Sequence, residues 1–494
     1  MPVFGDEIVI NDPAIALSRG QGLIAPSFTN SVAGIDKLYA HFPPVYIFLQ
    51  AAVFRALGVS VYSLRLLTAL FSMMAVAVFL IIVYRLCEYG VIKGKTGFFL
   101  SCLYALNGPV MIFHRISRME SLIEFLSLLS FYCALRLAID PKDKNGTEAL
   151  PERKPQIVLL LGASICAGLA LASHPEAINA ILPTIFIIAF AKRIRLPDKL
   201  GFAALFTVIP PAIWIATYRS HWWVALTQML FIAQEKAPKP SIVRFGLDLL
   251  KNARSSEHDL MVFSFFCLTM LVLACVTAQT VSAVVNNKRA SMVDERLRPI
   301  QKAVTIALPL TLLTLLFFLP LGITRYQVIY PIYLLLIPLL PVPHMIEVVW
   351  RPYVTVAVTG LIVGEMLVCI AYLVQNRKSP EGPAQRYDFV LNCIRPTDKV
   401  AASPQLWFAF QARDRPFTLL YPILGGFETW RKNSAHPLDQ FDVILLADYL
   451  KDDLPLYAPL AAHGKAEQDV PVGPRVLRIY SRPGAFANCD SRLR

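Results

Sequence analysis

Residues 61–86 read VYSLRLLTALFSMMAVAVFLIIVYRL. A helix rises 1.5 Å per residue, so a run of this length and apolarity is long enough to cross a hydrocarbon core of about 30 Å. Working outward, further candidate spans are Gly97 to Phe113, Met119 to Ile139, Ile157 to Ser173, Glu176 to Ala191 and Leu200 to Tyr218. Four more follow at Leu260 to Val285, Ala303 to Leu321, Ile329 to Val349 and Tyr353 to Gln375, about ten spans in all. Only His174-Pro175 separates two of them, so Ile157 to Ala191 leaves open whether one helix or two is present. Val45 to Gly58 is apolar but short and broken by Gln50 and Arg55, which predicts a helix lying at the membrane interface.

Composition agrees. Of 494 residues, 56% are hydrophobic and 16% charged, too apolar for a soluble chain of this size. The net charge of +13 sits in short basic clusters between apolar runs, as the positive-inside rule and anionic headgroups require, and this argues against a nucleic-acid binder. The clusters Arg85/Lys93/Lys95, Lys142/Lys144/Arg153/Lys154, Lys192/Arg193/Arg195/Lys199 and Lys288/Arg289/Arg296/Arg298/Lys302 follow every second span and predict cytoplasmic loops. Residues 1–60, His114 to Arg118, His174, the loop Arg219 to Asp259, Arg325-Tyr326 and the region from Asn376 are then predicted on the outer side. A sixty-residue head exported without a leading helix is unusual, so a first span upstream of Met1 is expected; the alternative is export by the following helix, which the near-neutral charge of the head allows. Asp6 and Glu7 precede any hydrophobic segment and leave no cleavable signal peptide in view.

The expected organisation is an outer loop at 1–60, a membrane domain at 61–375 with an interfacial segment at 219–259, and a small soluble α/β domain at 376–494. In the last, Lys399 to Ala402, Phe441 to Ala447 (FDVILLA) and Arg475 to Ser481 (RVLRIYS) read as strands and Pro404 to Ala412 as a helix. Seven of the nine cysteines lie in or beside apolar runs; Cys393 and Cys489 flank the soluble domain and could pair in an oxidising compartment.

The first outer loop holds adjacent carboxylates at Asp6 and Glu7, then Asp36 and His41 ahead of Pro43-Pro44. Pinned beside a membrane, such a segment can offer a general base to an acceptor; the same residues also suit an ordinary solvated loop. Arg118 and Arg325, the latter beside Tyr326, supply guanidinium forks of the kind a phosphate leaving group needs, although charges at a membrane surface also serve as plain anchors. Asp6, Glu7, Asp36 and His41 could offer ligands to a divalent cation, but in no recognisable metal motif, and no cofactor is assigned.

The order of these features resembles the membrane glycosyltransferases of the GT-C fold, in particular glycosyltransferase family 39 with the protein O-mannosyltransferases and bacterial aminoarabinose transferases. The residues that carry the resemblance are Phe4-Gly5-Asp6-Glu7 with Asp12 to Arg19, His41-Phe42-Pro43-Pro44-Val45-Tyr46, Phe54 to Gly58 and Ser63-Leu64-Arg65-Leu66. Arg118-Met119-Glu120, Gly168 to Pro175 and Arg325-Tyr326 before Pro331 complete the series. The resemblance implies transfer of a sugar from a polyprenyl-phosphate donor to a lipid, glycan or protein acceptor at the outer face of a bacterial inner membrane. It implies Asp6 as catalytic carboxylate with Glu7 beside it, His41 at the position of a His-Pro-Pro motif, and Arg325-Tyr326 near the lipid phosphate; Asp36 and Arg118 are expected around the substrates from their place in the outer segments. Phe42 stands where aminoarabinose transferases carry a Lys, which argues against aminoarabinose as the sugar. The rival from another class is a transporter or lipid flippase; it is weakened by the lack of a second half mirroring the first. A membrane scaffold is the blander alternative.

Overall fold

The computed structural model describes residues 5–28, 35, 37–105, 114, 116–139, 153–236, 300–303, 306–307, 310, 331–332, 334–336, 367, 388–403, 406–419, 440–447, 465–472 and 475–483. Among these, the N-terminal half is helical. Helix α1 spans Gly5–Ser18, α2 Pro44–Leu57, α3 Val61–Glu88, α4 Gly94–Ala105 and α5 Glu120–Ala138. Then come α6 Arg153–Ser173, α7 Ala177–Phe190, α8 Leu196–Tyr218 and α9 Trp222–Lys236.

Local chemistry sets these ends. Pro44 opens α2, where its missing N–H costs nothing, and Gly58 closes it at φ 74°, a conformation an L side chain resists. Two residues later Ser60 and Ser63 exchange side-chain and backbone hydrogen bonds at the head of α3, 3.0 and 2.9 Å, a reciprocal cap. Helix α3 buries Leu64, Leu67, Ala75, Phe79 and Ile82 while leaving Leu66, Leu70, Met73, Leu80 and Ile81 exposed. A helix apolar on every side, with one face packed and the other open, fits a lipid boundary.

Among the described residues, α3, α5, α6 and α8 are long and apolar enough to cross a membrane. Helix α5 is central, with 72% of its apolar window buried, and packs on α3, α6 and α7; α8, with 6% buried, lies at the periphery against α6. Small residues permit the closest approaches: a Cβ added at Gly168 of α6 would come within 2.7 Å of Ile209 in α8.

The structure resolves the Ile157 to Ala191 ambiguity. The chain leaves α6 at Ser173, turns through His174, Pro175 and Glu176, and restarts as α7. With 14 residues, α7 is about 21 Å long and does not reach across the core on its own, shorter than the span expected from Glu176 to Ala191. The interfacial helix expected from Val45 is present as α2, and α9 occupies the start of the Arg219 to Asp259 loop. Of the remaining expected spans, Leu260 to Val285 lies outside the described residues, as do residues 106–113 and most of Ala303 to Leu321, Ile329 to Val349 and Tyr353 to Gln375.

The C-terminal region holds α10 Asp388–Cys393, β1 Val400–Ala402, α11 Trp407–Ala412, β2 Thr418–Leu419, β3 Val443–Ala447, β4 Ala466–Val472 and β5 Arg475–Ser481. The sheet order is β2-β1-β3-β5-β4, with β1 parallel to β2 and β3, and β5 antiparallel to β3 and β4. Val443 to Leu446 are all buried, as befits a central strand covered on both faces. Pro471 sits in β4, an edge strand, where a missing N–H is tolerated. Cys393 is disulfide-bonded; Cys489, the partner the sequence suggests, lies outside the described residues.

Candidate active site

The head of α1 rests on the end of the helical bundle. Glu7 is fully buried there, and its Oε1 accepts the backbone N–H of Ser117 at 2.7 Å. Arg65, one turn into α3, donates to both oxygens of the same carboxylate, Nε to Oε1 at 3.4 Å and Nη2 to Oε2 at 3.3 Å. A charge removed from water needs an opposite charge and filled lone pairs, and Glu7 has both. One turn on, Asn11 donates to the Glu7 carbonyl at 2.7 Å and to the Ser117 carbonyl at 3.2 Å, and its Oδ1 accepts the Ser117 hydroxyl at 3.1 Å.

Helix α2 closes the other side. The Tyr46 hydroxyl lies 2.7 Å from Thr68 Oγ1 and 3.3 Å from Ser117 Oγ, while Gln50 donates to the carbonyl of Ser63 at 3.0 Å. Burial pushes the Tyr46 hydroxyl above its ordinary pKa, and the negative charges of Glu7 and Glu120 push it the same way, which sets both carboxylates within electrostatic reach of this ring. Tyr46 is therefore a neutral hydrogen-bonding post.

The segment His114 to Glu120 forms the floor. Arg118 grips Glu120 as a fork, Nη2 to Oε1 at 2.6 Å and Nε to Oε2 at 3.1 Å. Deeper in α5, Glu124 accepts the Tyr104 hydroxyl and sits 2.8 Å from His114 Nε2. The buried carboxylates Glu7, Glu120 and Glu124 thus each face a basic group, Arg65, Arg118 and His114, brought from α3 and from the loop before α5.

A rim surrounds this floor. His41 and Phe42 meet edge to face at 4.9 Å, and Phe42 lies 6.1 Å from the ring of His174, whose Nδ1 accepts the backbone N–H of Glu176 at 3.2 Å. Gln228 of α9 donates to the Leu38 carbonyl at 2.7 Å and accepts from the Ala40 N–H at 2.8 Å. The segments expected on one side of the membrane, residues 1–60, His114 to Arg118, His174 and the start of the 219–259 loop, therefore meet one another at one end of the bundle.

Of the residues proposed from sequence, Glu7 bonds the Ser117 N–H, Arg118 follows Ser117 in the chain and pairs with Glu120, and His41 belongs to the aromatic rim with Tyr39 and Phe42. The backbone of Asp6 forms the first turn of α1. Asp36, Arg325 and Tyr326 lie outside the described residues. Sequence reasoning did not single out the roles of Asn11, Tyr46 and Ser117, nor the pairing of Arg65. A charge just inside an apolar run, as at Arg65, is the signal that could have found it. Among the described residues, no three His, Cys, Asp or Glu side chains gather in a way that could hold a metal ion.

No family model and no curated protein matches the chain. Among solved structures it is similar to ArnT from Cupriavidus metallidurans bound to undecaprenyl phosphate, with a TM-score of 0.57 and 11% identity over 98% of this chain and 95% of that one. It is also similar to the Archaeoglobus fulgidus oligosaccharyltransferase in complex with Zn and sulfate, with a TM-score of 0.50 and 14% identity over 97% of this chain and 69% of that one. At such identities the likeness is one of architecture, and it agrees with the long apolar helices and the small terminal sheet: the chain is a helical polytopic membrane protein of the GT-C fold with a small C-terminal α/β domain.

Proposed function

We propose that this protein is a membrane glycosyltransferase that moves a sugar from a polyprenyl-phosphate donor to an acceptor hydroxyl at the outer face of the membrane. The observation that carries the reading is the seating of α1: Glu7, locked onto Arg65 and Ser117, fixes the turn that contains Asp6 at the end of a bundle with the GT-C fold. A solved protein of that fold is bound to undecaprenyl phosphate.

In the proposed step Asp6 takes the proton of the acceptor hydroxyl. The acceptor oxygen forms a bond to the anomeric carbon as the bond from that carbon to the phosphate oxygen breaks, and the electron pair leaves with the lipid phosphate. Glu7 positions the turn and does not itself exchange protons with substrate. Arg118 contributes N–H donors whose plane is set by Glu120. Roles at the lipid phosphate for Arg325 and Tyr326, and at the sugar or acceptor for His41, follow from the family resemblance alone; that of Asp36 follows from its place in the first outer segment. General-base assistance of this kind is worth roughly 10²- to 10⁴-fold.

The outer side is taken to hold the C-terminal domain, in a bacterial inner membrane. The disulfide at Cys393 supports this, because such bonds persist in oxidising compartments.

The test is Asp6→Asn in the full chain, reconstituted with undecaprenyl-phosphate-linked hexoses and pentoses and scored for transfer to membrane lipids, glycans and proteins. Loss of transfer by about 10²-fold or more with an unchanged melting temperature is expected. Retained transfer removes Asp6 as the base. Solute uptake into proteoliposomes that survives the substitution would favour a transporter.

A further inference from the structure

The strongest unassigned feature lies on the far half of α1. Asp12 is fully buried, and four hydrogen-bond donors converge on its carboxyl oxygens. Its Oδ1 accepts the Ser27 hydroxyl at 2.6 Å, Trp407 Nε1 at 3.0 Å and Gln411 Nε2 at 2.9 Å; its Oδ2 accepts the Ser27 N–H at 3.0 Å. Trp407 and Gln411 belong to α11 of the C-terminal domain, nearly four hundred residues away in the chain. The orientation of the Gln411 amide is itself fixed: its Oε1 and its backbone carbonyl accept Arg19 at 2.9 and 2.7 Å, and Arg19 pairs with Asp414 at 3.0 Å. Strand β2 packs on the turn Pro26–Phe28, so the same domain touches the N-terminal segment twice.

We propose that the C-terminal domain is a working part of the transfer site, in which Trp407 and Gln411 act as positioning residues that hold α1, and with it the turn of Asp6, through the buried carboxylate of Asp12. This rests on the transferase reading given above.

The chemistry of the contact favours positioning over adhesion. A pair of apolar side chains would join α1 to α11 at less cost, because a buried carboxylate must give up its hydration. What the carboxylate adds is direction: four donors converging on two oxygens define one register of the helix, whereas an apolar contact tolerates sliding. Asp6 and Asp12 lie on one helix about 9 Å apart along its axis, so holding Asp12 restrains the backbone at Asp6. A misplacement of about 1 Å at a reacting group can cost about 10²-fold.

The test uses the full chain in lipid nanodiscs. Trp407→Phe removes one bond and keeps an aromatic ring; Gln411→Met removes three, to Asp12, to the Ser27 hydroxyl and from Arg19, and keeps the length. Transfer is measured with undecaprenyl-phosphate-linked hexoses and pentoses, and hydrogen exchange is followed at the amides of residues 5–18. Each variant is expected to lower kcat by about 10- to 100-fold, to leave the KM for the donor within about twofold, and to speed exchange in α1. Asp12→Asn, which keeps an oxygen for Trp407, Gln411 and the Ser27 hydroxyl, is expected to retain most of the turnover that Asp12→Ala loses. Wild-type turnover in Trp407→Phe and Gln411→Met, or unchanged exchange in α1, would overturn the proposal. If the wild-type chain transfers none of these sugars, the transferase reading is what fails, and exchange alone then decides whether α11 holds α1.

Discussion

Arg65 of α3 closes on Glu7 of α1, Nη2 to Oε2 at 3.3 Å, with the carboxylate fully buried and the guanidinium 20% exposed. The pair joins the first turn of α1 to α3, the first helix among the described residues that is long and apolar enough to cross a membrane. Arg65→Gln takes an opposite charge away from a carboxylate that is fully buried, and is expected to destabilise the protein by about 3–5 kcal/mol. Glu7→Gln with Arg65→Met together should recover much of that loss. Thermal unfolding in detergent, run as a double-mutant cycle, checks this; additive losses would show that the two side chains do not act on each other.

Gly168 and Gly162 both lie in α6 but face different neighbours. A Cβ at 168 would meet Ile209 at 2.7 and 2.8 Å, whereas at 162 it would meet Cys133 Sγ at 3.4 Å. Gly168→Ala should push α8 away and cost about 1–3 kcal/mol. Gly162→Ala should be neutral or gain up to about 1 kcal/mol of helix propensity. Equal melting temperatures for the two variants would mean that α8 does not lie against Gly168.

Asp12 titrates in the opposite sense to most paired carboxylates. Burial lifts its pKa above the ordinary 3.8, and the bonds from Ser27 and Trp407 and the charge of Arg19 pull it only part of the way back. The folded chain therefore holds this proton more tightly than the unfolded chain. Its contribution to stability is complete below pH 3.8 and is lost as pH rises through the folded value. Asp12→Asn lacks this titration, so the melting temperature of wild type minus that of the variant should shrink as pH rises from acid toward neutral. A difference that widens with pH would reverse the assignment.

Orientation is open to chemical labelling. Lys95 and Arg482 are both exposed, and the bundle places Lys95 between α3 and α5 and Arg482 after β5. A cysteine introduced at Arg482→Cys should react with an impermeant maleimide on intact cells, and one at Lys95→Cys only after lysis. The reverse pattern would turn the proposed topology inside out.

Legibility from sequence followed the reach of each physical signal. The span at Val61 was visible because a continuous apolar run is a local property, and strand β3 because VILLA is buried on both faces. Strand β4, AEQDVPV, was missed because an edge strand facing water carries charges and a proline and so shows no alternation. The break at His174-Pro175 needed coordinates because proline signals an end without saying whether a new helix starts. Glu7 was noticed for its acidity, yet nothing local announced that Arg65, fifty-eight residues on, would enclose it. The contact of Asp12 with Trp407 lay further still from any sequence pattern, because each residue is unremarkable among its own neighbours.

Helix α5 carries one more implication. Its buried face includes Glu120, Ser121, Glu124, Ser127 and Ser130, a polar stripe within a segment long enough to span. Alone in lipid, such a helix keeps for its acids only the partners brought by the loop that leads into it, Arg118 for Glu120 and His114 for Glu124. Ser72 of α3 and Tyr104 of α4, which bond Ser121 and Glu124, are both synthesised first. The order of the chain thus makes the polar partners on α3 and α4 before the stripe on α5 that they satisfy.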